Sequence, residues 1–266
     1  MKINTENLPE KDQKYVHILG INILSTTESQ LLAAIEKKIS DSHKLGSRSS
    51  KFSILTLNPE IILLSQNDKE LKNALNSADF AVPDGVGLNF ASKFLYGKSL
   101  NIVPGRILFE KLIELANKNG WKVFFLGGND SEAQTAAQKL KIQNKELKIE
   151  TAGGSEITPT LHKGIVDRIN KFSPDLLFVA FGNPKQEIFV AENAKSQMLN
   201  VKCFMSVGGT FRYIAGLSPL PPKWMPDLGL EWLWRLFTEP YRLGRIWNAV
   251  VVFPLKVFWH KLNRNE

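Results

Sequence analysis

Leu176-Leu-Phe-Val-Ala-Phe181 runs straight into Gly182-Asn-Pro-Lys-Gln-Glu187. Six consecutive apolar residues closed by a turn cluster read as a strand buried on both faces, the kind found in a parallel sheet. The same grammar recurs along the chain. Phe52–Leu57 opens onto Asn58-Pro59-Glu60, and Asp79–Val82 onto Pro83-Asp84-Gly85. Trp121–Leu126 runs into Gly127-Gly128-Asn129-Asp130, and Cys203–Val207 into Gly208-Gly209-Thr210-Phe211. Leu147–Thr151 reads as a further strand, and Val16–Leu24 as one more near the start. Helical periodicity fills the gaps. It passes through Leu31, Leu32, Ile35 and Ile39 behind a Thr26 or Thr27 cap, and starts again at Asn58-Pro59-Glu60 with proline at the first helical position. Further helices are expected after Gly87, over 105–119, from Ser131, over 159–172 and from Lys185, with a polar loop at 42–51. Strands alternating with helices predict an α/β fold, a Rossmann-like, mostly parallel sheet with helices on both faces. Ligands of such sheets bind beyond the carboxyl ends of the strands, where every glycine or polar cluster just quoted falls.

The 266 residues suffice for one large α/β domain, and 43% hydrophobic against 23% charged is ordinary globular composition, which excludes disorder and fibrous repeats. A single cysteine, Cys203, excludes an intramolecular disulfide and multi-cysteine metal sites, and it reads as inert strand packing. The polar start has no apolar core of a signal peptide, and no run approaches the ~20 residues of a membrane span. The expectation is a cytoplasmic protein with a loose tail over 1–15, a catalytic body over 16–222 and an appendage over 223–266.

That appendage carries much of the charge asymmetry behind the net +8. Five of the six tryptophans lie there, and from Pro240 onward Arg242, Arg245, Lys256, Lys261 and Arg264 face Glu266 alone. Rings that settle at headgroup level beside cations that meet lipid phosphates suit an anionic membrane surface, each cation adding about 1 kcal/mol. The same tryptophans would equally serve as the core of a helical hairpin packed on the body. Nucleic acid is the least supported partner, since no recognition module is visible.

The strand-end loops define the chemistry. Gly85-Val86-Gly87 and the turns Gly127-Gly128 and Gly208-Gly209 should leave backbone N–H groups free for phosphate. Phe90 stands where a dinucleotide fingerprint needs its third glycine, and no P-loop occurs, although a nucleotide-binding oxidoreductase still fits the sheet. No Asp-x-Asp is present, and His17, His43, His162 and His260 are scattered, so no metal or cofactor is called for; a diphosphate would be held by Arg, Lys and helix termini. Asp84, between Pro83 and Gly85, reads either as a general base projecting into a cleft or as a cap of the following helix. Thr56, Asn58, Thr210, Lys185 and Gln186 read as ligand contacts or as local caps and first-turn residues.

Six ordered motifs carry a resemblance: Thr56-Leu-Asn-Pro-Glu60, Ala78-Asp-Phe-Ala-Val-Pro-Asp-Gly-Val-Gly87, Phe125-Leu-Gly-Gly128, Gly182-Asn-Pro-Lys-Gln-Glu187, Val207-Gly-Gly-Thr-Phe211, and Pro222-Lys-Trp through Glu239-Pro-Tyr-Arg242. Together they resemble the WecG/TagA/CpsF glycosyltransferase family over about residues 16–247. The resemblance implies a metal-independent, inverting transfer from a UDP-sugar to a polyprenyl-diphosphate-linked sugar at the inner face of the membrane, in cell-surface polysaccharide assembly. It implies Asp84 as base, Thr56 and Gln186 as site-lining residues, and Arg235, Arg242 and Arg245 as diphosphate ligands. Ile102, Ile107 and Arg212 depart from the family's usual Arg, Asp and Asp, and Arg106 is the cation nearest to hand. Those departures also fit a membrane adaptor without turnover. The donor sugar (N-acetylmannosamine, its uronic acid or glucose) and the oligomeric state, a homo-oligomer included, stay open.

Overall fold

The computed structural model describes residues 15–45, 51–129, 131–153, 162–222, 225 and 231–263. The expected strand over Val16–Leu24 is instead a hairpin. β1 (Tyr15–Ile18) and β2 (Ile21–Leu24) pair antiparallel, because Leu19 and Gly20 both adopt positive φ (+50° and +78°) and reverse the chain between them. Apolar residues on both sides hid the turn, whose one sign was Gly20.

The main sheet follows the expectation. β3 (Phe52–Leu57), β4 (Phe80–Pro83), β5 (Lys122–Gly127), β6 (Lys148–Ala152), β7 (Leu176–Ala180) and β8 (Cys203–Ser206) are all parallel, in the order β4-β3-β8-β7-β5-β6. Helices cover both faces. Against one lie α1 (Glu28–Leu45), α5 (Gly105–Asn119), α6 (Glu132–Gln143) and α9 (Thr210–Ile214); α1 runs on to Leu45, through the start of the loop expected over 42–51, and 46–50 lie outside the described residues. Against the other lie α2 (Pro59–Leu64), α3 (Lys69–Ser77), α4 (Val86–Tyr96), α7 (Lys163–Phe172) and α8 (Lys185–Lys195), with the hairpin. Each face buries its own apolar cluster, so the strands read as continuous hydrophobic runs. The helix from Pro59 is two: it stops at Leu64, and Asp68 caps α3 by accepting from Leu71 N–H at 2.9 Å. Thr27 caps the approach to α1, its hydroxyl accepting from Gln30 N–H.

The amino ends of the strands are tied by two carboxylates. Asp79 accepts from Ser53 N–H at 3.0 Å, joining β3 to β4. Buried Asp175 accepts from Lys122 N–H at 2.8 Å, meets the Lys202 ammonium and lies 3.0 Å from His43 Nε2, joining β5, β7, β8 and α1. These acids are structural and lie at the edge of the sheet opposite the glycine loops.

Beyond residue 222 the described chain is helical: α10 (Glu231–Thr238), a 3-10 turn at Pro240–Arg242, α11 (Leu243–Trp247), a π-helical turn at Asn248–Val252 and α12 (Phe253–Leu262). Pro240 imposes the expected break between Arg235 and Arg242. The π-helical turn packs on α2 and α12 packs on α4, sinking Phe253 and Val257 (each 1% exposed) into the body's core. The opposite face of α12 presents Leu255, Phe258, Trp259 and Leu262 to solvent, at the i, i+3, i+4, i+7 spacing of one stripe. Packing and exposure thus belong to different faces of one helix. No helix among the described residues is long and apolar enough to cross a membrane.

Candidate active site

Because all six strands point the same way, their terminal loops line one edge in the order Asp84, Thr56–Asn58, Gly208–Gly209, Gly182–Gln186 and Gly127–Gly128. Registers such as Leu57 opposite Pro83 and Gly127 opposite Ala180 keep the strand ends level. At about 4.8 Å per strand, the row spans roughly 19 Å from Asp84 to Gly127, the length scale of a nucleoside diphosphate with a sugar.

Asp84 is half-buried, and its backbone N–H donates to Leu57 O at 2.6 Å. The cap position of α4 belongs to Gly85, at φ +92°. Asp84 stands one residue before that position, directly after β4 at the sheet edge. Asn58 is the cap of α2, its Oδ1 accepting from Ile61 N–H at 3.0 Å. Gly87 sets α4 against α2, since a Cβ there would stand 2.7 Å from Pro59 Cγ. Thr56 lies against Gly105 at the start of α5, where a Cβ would meet the Thr56 hydroxyl at 3.0 Å. Arg106 follows, pairing with Glu110 at 2.7 Å.

At the centre of the edge, the glycine turns depart from expectation. Gly128 N–H donates to Ala180 O at 2.9 Å, and Gly208 N–H to Gln186 Oε1 at 3.2 Å, so neither is free for phosphate. The acceptors are the last residue of β7 and a side chain in the first turn of α8. Phe211 anchors the second turn, stacking on Phe125 at 4.6 Å. Buried Thr210 donates its hydroxyl to Val207 O at 2.7 Å. Of the α8 pair, Lys185 is exposed, whereas Gln186 is 4% exposed.

Sequence reasoning passed over Glu187. Its carboxyl is 1% exposed and accepts from Gln186 Nε2 at 2.7 Å, while its second oxygen has no hydrogen-bond partner. Burial pushes its pKa up to about 7, against a smaller lowering by the Gln186 bond. An acid in the first turn of a helix reads as a dipole partner; only the apolar strands either side hinted at burial.

The C-terminal segment reaches this edge. Arg245 Nε donates to Glu60 Oε1 at 2.6 Å, from α11 to the first turn of α2 beside Asn58. Arg242 Nε lies 2.8 Å from buried Glu239, which also accepts from the Ser218 hydroxyl at 3.2 Å. Arg235 sits on α10, with its side chain outside the described residues, as are Trp224 and Arg264. Among the described residues, no group of three or more His, Cys, Asp or Glu side chains could hold a metal ion.

The sequence matches the family described as the glycosyl transferase WecG/TagA/CpsF family over residues 16–266. Among curated proteins it is 28% identical over 242 residues to a protein of Staphylococcus aureus (strain MRSA252), covering 91% of each chain. It is 29% identical over 193 residues to a protein of Bacillus subtilis (strain 168), covering 73% of this chain and 74% of that one. Both relatives are named N-acetylglucosaminyldiphosphoundecaprenol N-acetyl-beta-D-mannosaminyltransferase. With the parallel sheet, its loop row and this match in hand, the chain belongs to the WecG/TagA/CpsF family of glycosyltransferases.

Proposed function

We propose that this glycosyltransferase moves a sugar from a UDP-sugar to a polyprenyl-diphosphate-linked sugar, with inversion and without a metal ion, at the inner face of the membrane. The relatives' names favour N-acetylmannosamine as the sugar and N-acetylglucosaminyl-diphospho-undecaprenol as the acceptor. Membership in a transferase family sets aside the oxidoreductase and the adaptor without turnover. The observation that carries the reading is the strand-end row: half-buried Asp84 stands at one end of it, and Arg245 is brought to α2 on the neighbouring loop.

In this scheme Asp84 takes the proton of the acceptor hydroxyl. The freed oxygen pair forms the new bond to the anomeric carbon from the face opposite the diphosphate. The bond to the diphosphate breaks, and its electron pair leaves with UDP. Negative charge therefore grows on the leaving group, where Arg106, Arg242, Arg245 and the amino terminus of α4 would stabilise it. The acceptor hangs from a lipid, and the exposed apolar surface suits that. Rings run from Phe90 to Phe94 (6.3 Å) and from Phe94 to Phe258 (6.1 Å), joining α4 to the outward stripe of α12. Phe90 lies about 9 Å along α4 from Asp84, so a membrane under this patch would deliver a lipid-linked hydroxyl close to the base.

The test is Asp84→Asn. General-base removal should lower kcat by 10²–10⁴-fold while UDP affinity, read by calorimetry, stays within about twofold. Full turnover in that variant would remove Asp84 from the role.

A further inference from the structure

The Gln186 amide is almost fully committed within the protein. Its NH2 group has two hydrogens, and Nε2 donates to Asn183 Oδ1 at 2.9 Å and to Glu187 Oε1 at 2.7 Å. Its oxygen accepts from Gly208 N–H at 3.2 Å. The opposite amide orientation would set oxygen against two oxygens and nitrogen against a backbone N–H, so the network fixes the orientation. One oxygen lone pair is left over. We infer that Glu187 is a positioning residue: with Asn183 it ties down both amide hydrogens of Gln186, so that this part of the site offers substrate a hydrogen-bond acceptor and selects a donor N–H or O–H group.

The inference rests on the reading of this edge as the transfer site, and it adds the polarity of one contact. The substrate class follows from chemistry. A sugar hydroxyl, an acetamido N–H or a pyrimidine imide N–H would fit the remaining lone pair, whereas a phosphate or carboxylate oxygen would meet another acceptor. The same network holds the Gly208–Gly209 turn on β8 in place, because the Gly208 N–H is its third link. The charged groups facing Glu187 are Glu60 on α2 and Arg245 on α11, which act in opposite directions. Its carboxyl therefore also feels whether Arg245 is paired with Glu60 or drawn away by an anionic ligand.

The experiment uses the full chain, with UDP-N-acetylmannosamine as donor and a short-chain prenyl-diphospho-N-acetylglucosamine as acceptor. Glu187→Leu frees one amide hydrogen and should raise the donor KM about tenfold, leaving kcat within about threefold. Glu187→Gln keeps an acceptor oxygen in place and should restore KM to within about threefold of the parent. In the parent, the Gln186 side-chain amide signals in ¹⁵N NMR should shift with a midpoint near pH 7, and in Glu187→Gln they should not. An unchanged KM in folded Glu187→Leu overturns the inference. Should that variant fail to fold, amide signals in the parent that ignore pH between 5.5 and 8.5 overturn it instead. Asp84→Asn, run in parallel, separates the two levels: full activity there removes the catalytic reading, while the Gln186 titration judges the network by itself.

Discussion

At Glu187 burial and charge conflict. A carboxyl held at about pH 7 in the folded chain binds a proton that the unfolded chain, ordinary value 4.5, has already lost. Stability should therefore be highest below pH 4.5 for this group, fall as pH rises from about 4.5 to 7, and level off above. The 2.5-unit gap corresponds to a loss of about 3 kcal/mol at most. Urea denaturation of the parent and of Glu187→Gln at pH 5 and pH 8 measures it, and the variant should lack the decline attributable to this group. Gly105 is the steric counterpart. A methyl group there would press on the Thr56 side chain at 3.0–3.2 Å, so Gly105→Ala should cost about 1–3 kcal/mol and displace Thr56. An unchanged melting temperature together with unchanged donor KM would show that Thr56 yields freely.

At the scale of elements, α12 is seated in the body's core by Phe253 and Val257. Phe253→Ala should cost about 3–5 kcal/mol, because a fully buried ring leaves a cavity between α12 and the body. Asn58→Ala should cost about 1 kcal/mol by leaving the first turn of α2 uncapped. The Arg245–Glu60 pair is half exposed on its arginine side, so Glu60→Gln should change stability by no more than about 1 kcal/mol, read by thermal unfolding. Most of these elements were legible from apolar runs and their punctuation. β3 and α5 match their expected bounds, and the other main-sheet strands do so to within a residue or two, since a strand buried on both faces announces itself whatever its partners. The β1–β2 turn was not legible, because Gly20 alone does not specify a reversal and its partner in the turn, Leu19, carries an apolar side chain despite its positive φ. The candidate site was legible as a set of loops, but its inner bonds were not. That Asn58 caps α2, and that Gly128 and Gly208 give their N–H groups to protein acceptors, depends on which strand ends and helix starts are neighbours.

On the scale of the whole molecule, the outward stripe of α12 has little role in holding the fold. Replacing Leu255, Trp259 and Leu262 with serine should leave the melting temperature within about 2 °C, yet abolish sedimentation with anionic phospholipid vesicles. Binding of the parent should weaken as salt rises, because Lys256, Lys261 and their arginine neighbours supply the Coulombic share. Vesicle binding that survives the triple change would place the docking face elsewhere. The two acids at the amino ends of the strands have a mechanical consequence for all of this. Asp79 and Asp175 stitch that border the way a spine binds pages, so breathing of the sheet must fan outward and grow toward the opposite margin. Amide exchange should be slowest at Ser53, Lys122 and Cys203 and quicken toward Gly182 and Gly209, leaving pliancy where a bulky guest has to be admitted and let go.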